Sequence, residues 1–193
     1  MKELSLKNNR SNQSYRFWSL AFILLLSPIM ANSEQLAKDK KEEFHMKNSH
    51  LALWNLIESF SQQVPFTKEK IENILSASLF EREGNELIIS FDGKDIQLAD
   101  QVAIRNIELR KNINRPTPGF LVIDIDGKCI SLQQVQSHYD RLEISEIPRG
   151  QSLDEATTYT ASLPWGTLSF GFKESNPQCL SWVVLDPSSF RKK

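Results

Sequence analysis

Three histidines and two cysteines, with a few acidic clusters, are the side chains here whose types could do chemistry. His45 and His50 stand five apart, which does not put them on one helical face as the four-residue spacing of a zinc helix does. His138 sits beside Tyr139 in a short helical pattern and reads as a surface or packing residue. No G-x-S-x-G elbow, S-x-x-K motif or glycine-rich phosphate loop occurs. A cysteine nucleophile needs a free thiolate near a base; Cys129 has His138 nine residues on, but a disulfide to Cys179 would consume the thiol. Asp124-Ile125-Asp126-Gly127 has part of a calcium loop, yet its glycine comes too soon and residue 133 is Gln133 where that loop needs glutamate. A strand end followed by an Asp-Gly turn accounts for it. The expectation is therefore no catalytic residue, no metal ligand and no cofactor.

Binding chemistry is better represented. The segment 148–166 (PRGQSLDEATTYTASLPWG) lacks clear periodicity, and long irregular segments inside compact domains are often functional. It carries Arg149, Tyr159 and Trp165, residue types enriched at binding hot spots, with the acidic pair Asp154-Glu155 between them. These five are the candidate binding residues. The alternative is that Tyr159 and Trp165 pack onto a sheet while the segment covers its edge.

The elements that must position these residues follow from apolar spacing. Leu53, Leu56, Ile57, Phe60 and Val64 recur at helical intervals, predicting an amphipathic helix over 50–62 that ends before Pro65. Thr67 caps a second helix with Ile71, Ile74 and Leu75 on one face. Leu87, Ile89 and Phe91 alternate as a strand, and Asp92-Gly93 signals a hairpin. Strands continue over 96–98 and 102–109, with a bulge near Arg105-Asn106 where the apolar phase flips. After the connection 111–119, Phe120 to Ile125 is apolar on both faces, as a central strand is. Ser131 with Gln134 forms a capping box for a short helix through Leu132, Val135 and Tyr139. Residues 145–160 read as a long polar stretch. Two strands close the chain: one through Leu168, Phe170 and Phe172, the other over 179–185.

Phe66-Thr67 and Ile130-Ser131 are 64 residues apart, and the pairs Ile71/Val135 and Leu75/Tyr139 keep that offset. The fold class expected is α+β: an antiparallel sheet with helices packed on one face, built as two tandem helix–hairpin repeats unless the offset is coincidence. The domain spans 49–190, with halves 49–113 and 119–190. Two capped helix starts, Thr67-Lys68-Glu69-Lys70-Ile71 and Ser131-Leu132-Gln133-Gln134-Val135, each precede a strand pair. In this the chain resembles the small helix-plus-sheet domains of the SmpA/BamE outer-membrane assembly lipoproteins and the β-lactamase inhibitor proteins, over 66–110 and 130–186. The resemblance implies an envelope protein that binds other proteins and carries over no functional residue. The chain departs from the lipoproteins in having no cysteine before Cys129.

Export is written at the N-terminus. Lys2, Lys7, Arg10 and Arg16 precede the apolar run Phe17 to Met30, and Ala31-Asn32-Ser33 places small residues where a signal peptidase cuts. Residues 1–33 are the expected signal peptide, with an uncleaved anchor as the alternative, and 34–48 a charged tether. Residues 1–33 hold four of the 23 basic and one of the 24 acidic residues, so the mature chain carries a net charge of −4. A mildly acidic domain is repelled by nucleic acid and anionic lipid, which excludes the electrostatic class of nucleic-acid binders. Two cysteines in an exported chain predict one disulfide, Cys129–Cys179. Together these point to an extracytoplasmic protein, periplasmic or secreted, with no transmembrane segment after cleavage. It would bind a protein partner of the envelope as an inhibitor or immunity protein. The alternatives are a hydrolase assembled from Asp124, Asp126, His138, Asp154 and Glu155, or a structural component of an envelope assembly.

Overall fold

The computed structural model describes residues 51–82, 86–114 and 117–187. The expected leader, the tether with His45, and His50 lie outside them. All elements below belong to the unit Glu43–Lys193.

Among the described residues there are three helices. α1 (Leu53–Ser61) buries Leu53, Leu56, Ile57 and Phe60 at three- and four-residue spacing. It has no side-chain cap of its own; Asp100, from the turn after β2, accepts the Leu53 N–H at 3.0 Å. A carboxylate there answers both an orphan donor and the positive end of the helix dipole. α2 (Lys68–Leu75) starts on Thr67, whose side chain accepts from the Lys70 N–H. α3 (Leu132–His138) starts on the capping box of Ser131 and Gln134, both halves of which form.

Eight strands form one sheet: β1 (Phe80–Arg82), β2 (Ile88–Gln97), β3 (Val102–Asn112), β4 (Phe120–Gly127), β5 (Glu143–Glu146), β6 (Ala156–Leu163), β7 (Gly166–Lys173) and β8 (Trp182–Asp186). Their order across the sheet is β1-β2-β3-β4-β8-β7-β6-β5, with every neighbouring pair antiparallel. The chain is thus α+β with more strand than helix. β4 is central, as its two-sided apolar character predicts. The bulge falls where the phase flip places it, between Ile104 and Asn106 of β3.

Three expectations are corrected. Asp92-Gly93 is no hairpin: both residues lie inside β2, which runs on to Gln97 before turning. Glycine stands at 93 for space, since a Cβ there would lie 2.7 Å from Leu79 Cδ2 and 2.8 Å from Ile107 Cγ2. Such approaches force a shift in a close-packed core. The polar stretch 145–160 has strand at both ends, in β5 and β6, so the irregular segment shrinks to 147–155. β6 (ATTYTASL) escapes a hydrophobic reading because its β-forming residues are threonines and its best-buried apolar position is a small alanine, Ala161. The last strand begins at Trp182; Cys179 precedes it and forms the disulfide.

The sheet's two side-chain sets differ. One contains the transverse rows Leu109–Leu121–Leu185–Leu168 and Ile107–Ile123–Val183–Phe170, all fully buried. Against this set stand Trp54 of α1, 6.4 Å from the Phe170 ring, Lys68 of α2 over Phe91, and Tyr139 at the end of α3, 5.2 Å from Phe170. The opposite set is half-buried or exposed for the most part and rich in charge: Asp92, Glu108, Arg110, Asp124, Asp126 and Glu146.

The disulfide Cys129–Cys179 lies just beyond the β4–β8 pairing, with Cα atoms 5.0 Å apart. Backbone bonds from Ile125 N–H to Ser181 O and from Leu180 N–H to Ile130 O continue the contact up to it. Closing a loop of 50 residues stabilises by about 4 kcal/mol in the chain-entropy model. The double variant Cys129→Ser/Cys179→Ser is expected to lose about 2–4 kcal/mol in urea unfolding monitored by circular dichroism, with the native spectrum kept in water.

Candidate binding surface

One transverse row on the charged side of the sheet joins six residues from six strands. Register pairs Asn106 with Asp124, Asp124 with Trp182, Trp182 with Gly171, Gly171 with Thr158 and Thr158 with Glu146. At its middle the Trp182 indole lies on Gly171: a Cβ on that glycine would collide with indole carbons Cδ2, Cε2 and Cζ2. The ring thus lies against the glycine, where any side chain would displace it. Trp182 is half-buried and its indole N–H has no acceptor among the described residues. Asp124 is half-buried, and no hydrogen bond or ion pair reaches its carboxylate among the described residues. Glu146, exposed at the other end, accepts through Oε2 from the Thr158 hydroxyl at 3.3 Å.

An open groove runs along this end of the row, lined by Trp182, Glu146 and the loop after β5, including Ile147, Arg149, Asp154 and Glu155. Three of the five candidate binding residues therefore meet in one place. Glu155 holds the loop in shape: its Oε2 accepts the Arg149 N–H at 2.5 Å and the Gly150 N–H at 3.0 Å. Asp154 pairs with Lys173 at 3.0 Å. The Arg149 guanidinium makes no ion pair among the described residues. Tyr159 and Trp165 are elsewhere. Tyr159 belongs to the row of Phe170 and meets Phe172 edge-on at 5.7 Å, and Trp165, in the β6–β7 turn, packs against the core.

The other end of the same side holds a charge network. Glu108 on β3 is 5% exposed because Arg82 and Arg110 fold over it. Arg110 donates to Glu108 Oε2 at 2.6 Å, and Arg82 bonds Oε1 while its Nε lies 3.4 Å from Asp92. The Arg110 hydrogen bond, reinforced by both positive charges, holds the Glu108 carboxyl below its usual range despite burial. Asp126 is likewise held low by hydrogen bonds from Arg105 and the Gly127 N–H. The bulge aims Arg105 at it, 2.7 Å away.

Away from this surface, His138 stacks on Trp54 with ring centroids 4.1 Å apart. Burial, with the Glu58 charge adding to it, pushes the neighbouring Tyr139 phenol up to about 12. Among the described residues no group of three or more His, Cys, Asp or Glu could hold a metal ion, and no helix is long and apolar enough to cross a membrane.

The sequence reading missed Trp182, Gly171, Asp124 and Glu146 as a set. Alternation alone puts Trp182 out of phase with the inward Val183 and Leu185, and Gly171 between Phe170 and Phe172. That they face each other depends on the β7–β8 register, which no local pattern reveals. Comparison with protein-family models, with curated proteins and with solved structures found no match.

Two outcomes check this geometry. Gly171→Ala is expected to unseat the indole, shifting the Trp182 indole N–H resonance and lowering stability by about 1–3 kcal/mol. Glu108→Gln is expected to cost about 1 kcal/mol at neutral pH, a modest figure because both arginines are about half exposed and regain water. A carboxyl held low in the folded state stabilises fully above its ordinary value of 4.5 and loses that contribution as pH falls through the folded value. The gap between native protein and variant should therefore close in urea titrations as the pH is taken below 4.5.

Proposed function

We propose that this chain is an exported, non-catalytic protein-binding module of the cell envelope, of the inhibitor or immunity type. In this reading it is built from two tandem units, α2 with β1–β4 and α3 with β5–β8, joined between β4 and β8. The strand order, which mirrors itself about that pair, supports the repeat, and so do the two side-chain-capped helix starts. The boundary then falls after β4, later than the 111–119 connection. In this reading the helices cover one face and leave the other for a partner, which the contacts of Trp54 and Tyr139 with Phe170 and of Lys68 with Phe91 support.

The observation that carries the reading is the Trp182 groove on that open face. A seated aromatic beside charged loop residues is the composition of a protein-contact hot spot. The disulfide supports an oxidising, extracytoplasmic setting. The hydrolase alternative needs Asp124, Asp126, His138, Asp154 and Glu155 in one pocket. His138 is stacked on Trp54, Asp126 and Asp154 are ion-paired, and Glu155 closes a turn. The assembly alternative would use sheet edges. β5 offers four residues, a bulge and two glutamates, which are devices that discourage edge pairing.

Protein beginning at Glu34 with its disulfide intact should capture one envelope partner, with 1:1 stoichiometry by calorimetry. Trp182→Ala is expected to weaken that complex at least tenfold, the ordinary cost of a hot-spot aromatic, whereas Tyr159→Ala should leave affinity unchanged in whatever fraction stays folded. Absence of any partner, from a stable folded protein, sinks the reading.

A further inference from the structure

We infer that the loop between β5 and β6 is the segment this module inserts into its partner, and that the partner is a serine protease of trypsin-like specificity. This deepens the binding-module reading and rests on it. Every residue of 147–154 except Pro148 is exposed. Ile147 and Leu153 are each 70% exposed, and a Cβ on Gly150 would meet nothing within 4 Å. Between the two aliphatics stands Arg149, whose guanidinium has no ion pair among the described residues. None of the nearby carboxylates holds it: Glu146 accepts from Thr158, Asp154 is paired with Lys173, and Glu155 accepts from backbone. A long, permanently charged side chain between exposed aliphatics is matched by a deep pocket with a carboxylate at its floor. That is how trypsin-like proteases select arginine.

The loop is held in shape before any partner arrives. Glu155 Oε2 accepts the N–H groups of Arg149 and Gly150, one on each side of the arginine Cα. The Ser152 hydroxyl accepts the Asp154 N–H at 3.0 Å. Leu153 O accepts the Ser175 N–H at 2.9 Å and Glu155 O accepts the Glu174 N–H at 2.8 Å, which ties the far end of the loop to the chain after β7. A segment ordered in advance loses little freedom on binding. The same bracing separates an inhibitor from a substrate. Cleavage requires the scissile carbonyl to be aligned with the attacking nucleophile. Here the chain bends at Gly150, with φ 77°, and the two N–H groups that would have to turn are already bonded to Glu155. The Arg149 side chain can fill the pocket while the Arg149–Gly150 bond stays uncut. Arg149 and Trp182 line the same groove, so one partner meets both.

The test measures initial rates of trypsin and of chymotrypsin on small peptide-amide substrates, with disulfide-intact protein from Glu34 as the inhibitor. Mass spectrometry after incubation reads the state of the chain. Trypsin is expected to be inhibited competitively and chymotrypsin not at all, with the Arg149–Gly150 bond intact. Arg149→Ala should melt as the native protein does and weaken inhibition roughly thirtyfold or more, the effect of losing a buried arginine anchor. Arg149→Phe should lose trypsin and gain chymotrypsin, whose pocket is a hydrophobic slot. Glu155→Ala should turn the chain into a substrate cut between Arg149 and Gly150. Three results overturn the inference: no inhibition of trypsin, inhibition that survives Arg149→Ala, or prompt cutting of the native chain at that bond. If trypsin is untouched while a Trp182-dependent envelope partner is still captured, the protease assignment is wrong and the binding module stands. If neither trypsin nor any envelope partner binds, the binding-module reading itself falls.

Discussion

The pairing of β4 with β8 is the constraint on which the rest of the molecule depends. Each half of the chain makes a four-stranded antiparallel meander from local turns, and a four-stranded sheet with one apolar face cannot bury that face by itself. Joining Leu121 to Leu185 and Ile123 to Val183 fuses the two meanders, so that the buried rows run unbroken from β3 to β7. The pairing is remote in sequence, and its loop-closure entropy has to be met before the hydrophobic gain appears. Cys129 and Cys179 bridge the chain at the end of this seam, where removing unfolded-state freedom helps most.

The same seam builds the other side of the sheet. Because side chains alternate, fixing Ile123 against Val183 inward fixes Asp124 against Trp182 outward. The β7–β8 register then sets Gly171 beneath the indole, and the β5–β6 bulge returns Glu146 to the line of Thr158. A one-residue slip of β8 against its neighbours would turn the tryptophan into the core, and a slip of β5 on β6 would break the row. The surface is thus as well determined as the core, and by the same hydrogen bonds.

Charge on that side is divided by half. In the N-terminal meander Asp92, Glu108 and Asp126 are met by Arg82, Arg105 and Arg110, which lets Glu108 be buried as an ion, while Asp124 has no ion pair among the described residues. In the C-terminal meander the neutral groups Thr158, Thr160 and Ser169 occupy the corresponding places, and the hydroxyls of Thr160 and Ser169 bond one another. Among the described residues Glu146 there meets only the Thr158 hydroxyl, in the groove it shares with the half-buried Trp182.

Much of the fold was legible because its signals are local. The spacing of Leu53, Leu56, Ile57 and Phe60, the Thr67 cap, the Ser131–Gln134 capping box and the phase flip at Arg105 each act within one or two turns of chain. Local rules failed where a tertiary need overrode them. Asp92-Gly93 is a turn by propensity and a strand in fact, because Leu79 and Ile107 claim the space above the glycine. β6 hid among threonines because its inward positions, Thr157, Tyr159 and Ala161, include one large side chain between two small ones. Of the binding candidates, Arg149, Asp154 and Glu155 come together because one short loop carries them, while Tyr159 leaves them because strand parity turns it inward. By itself the sequence determined an antiparallel α+β domain, its helix caps and its pair of cysteines. Only the tertiary structure decided which outward residues face one another, since cross-strand register is set by pairing between segments that no local pattern connects.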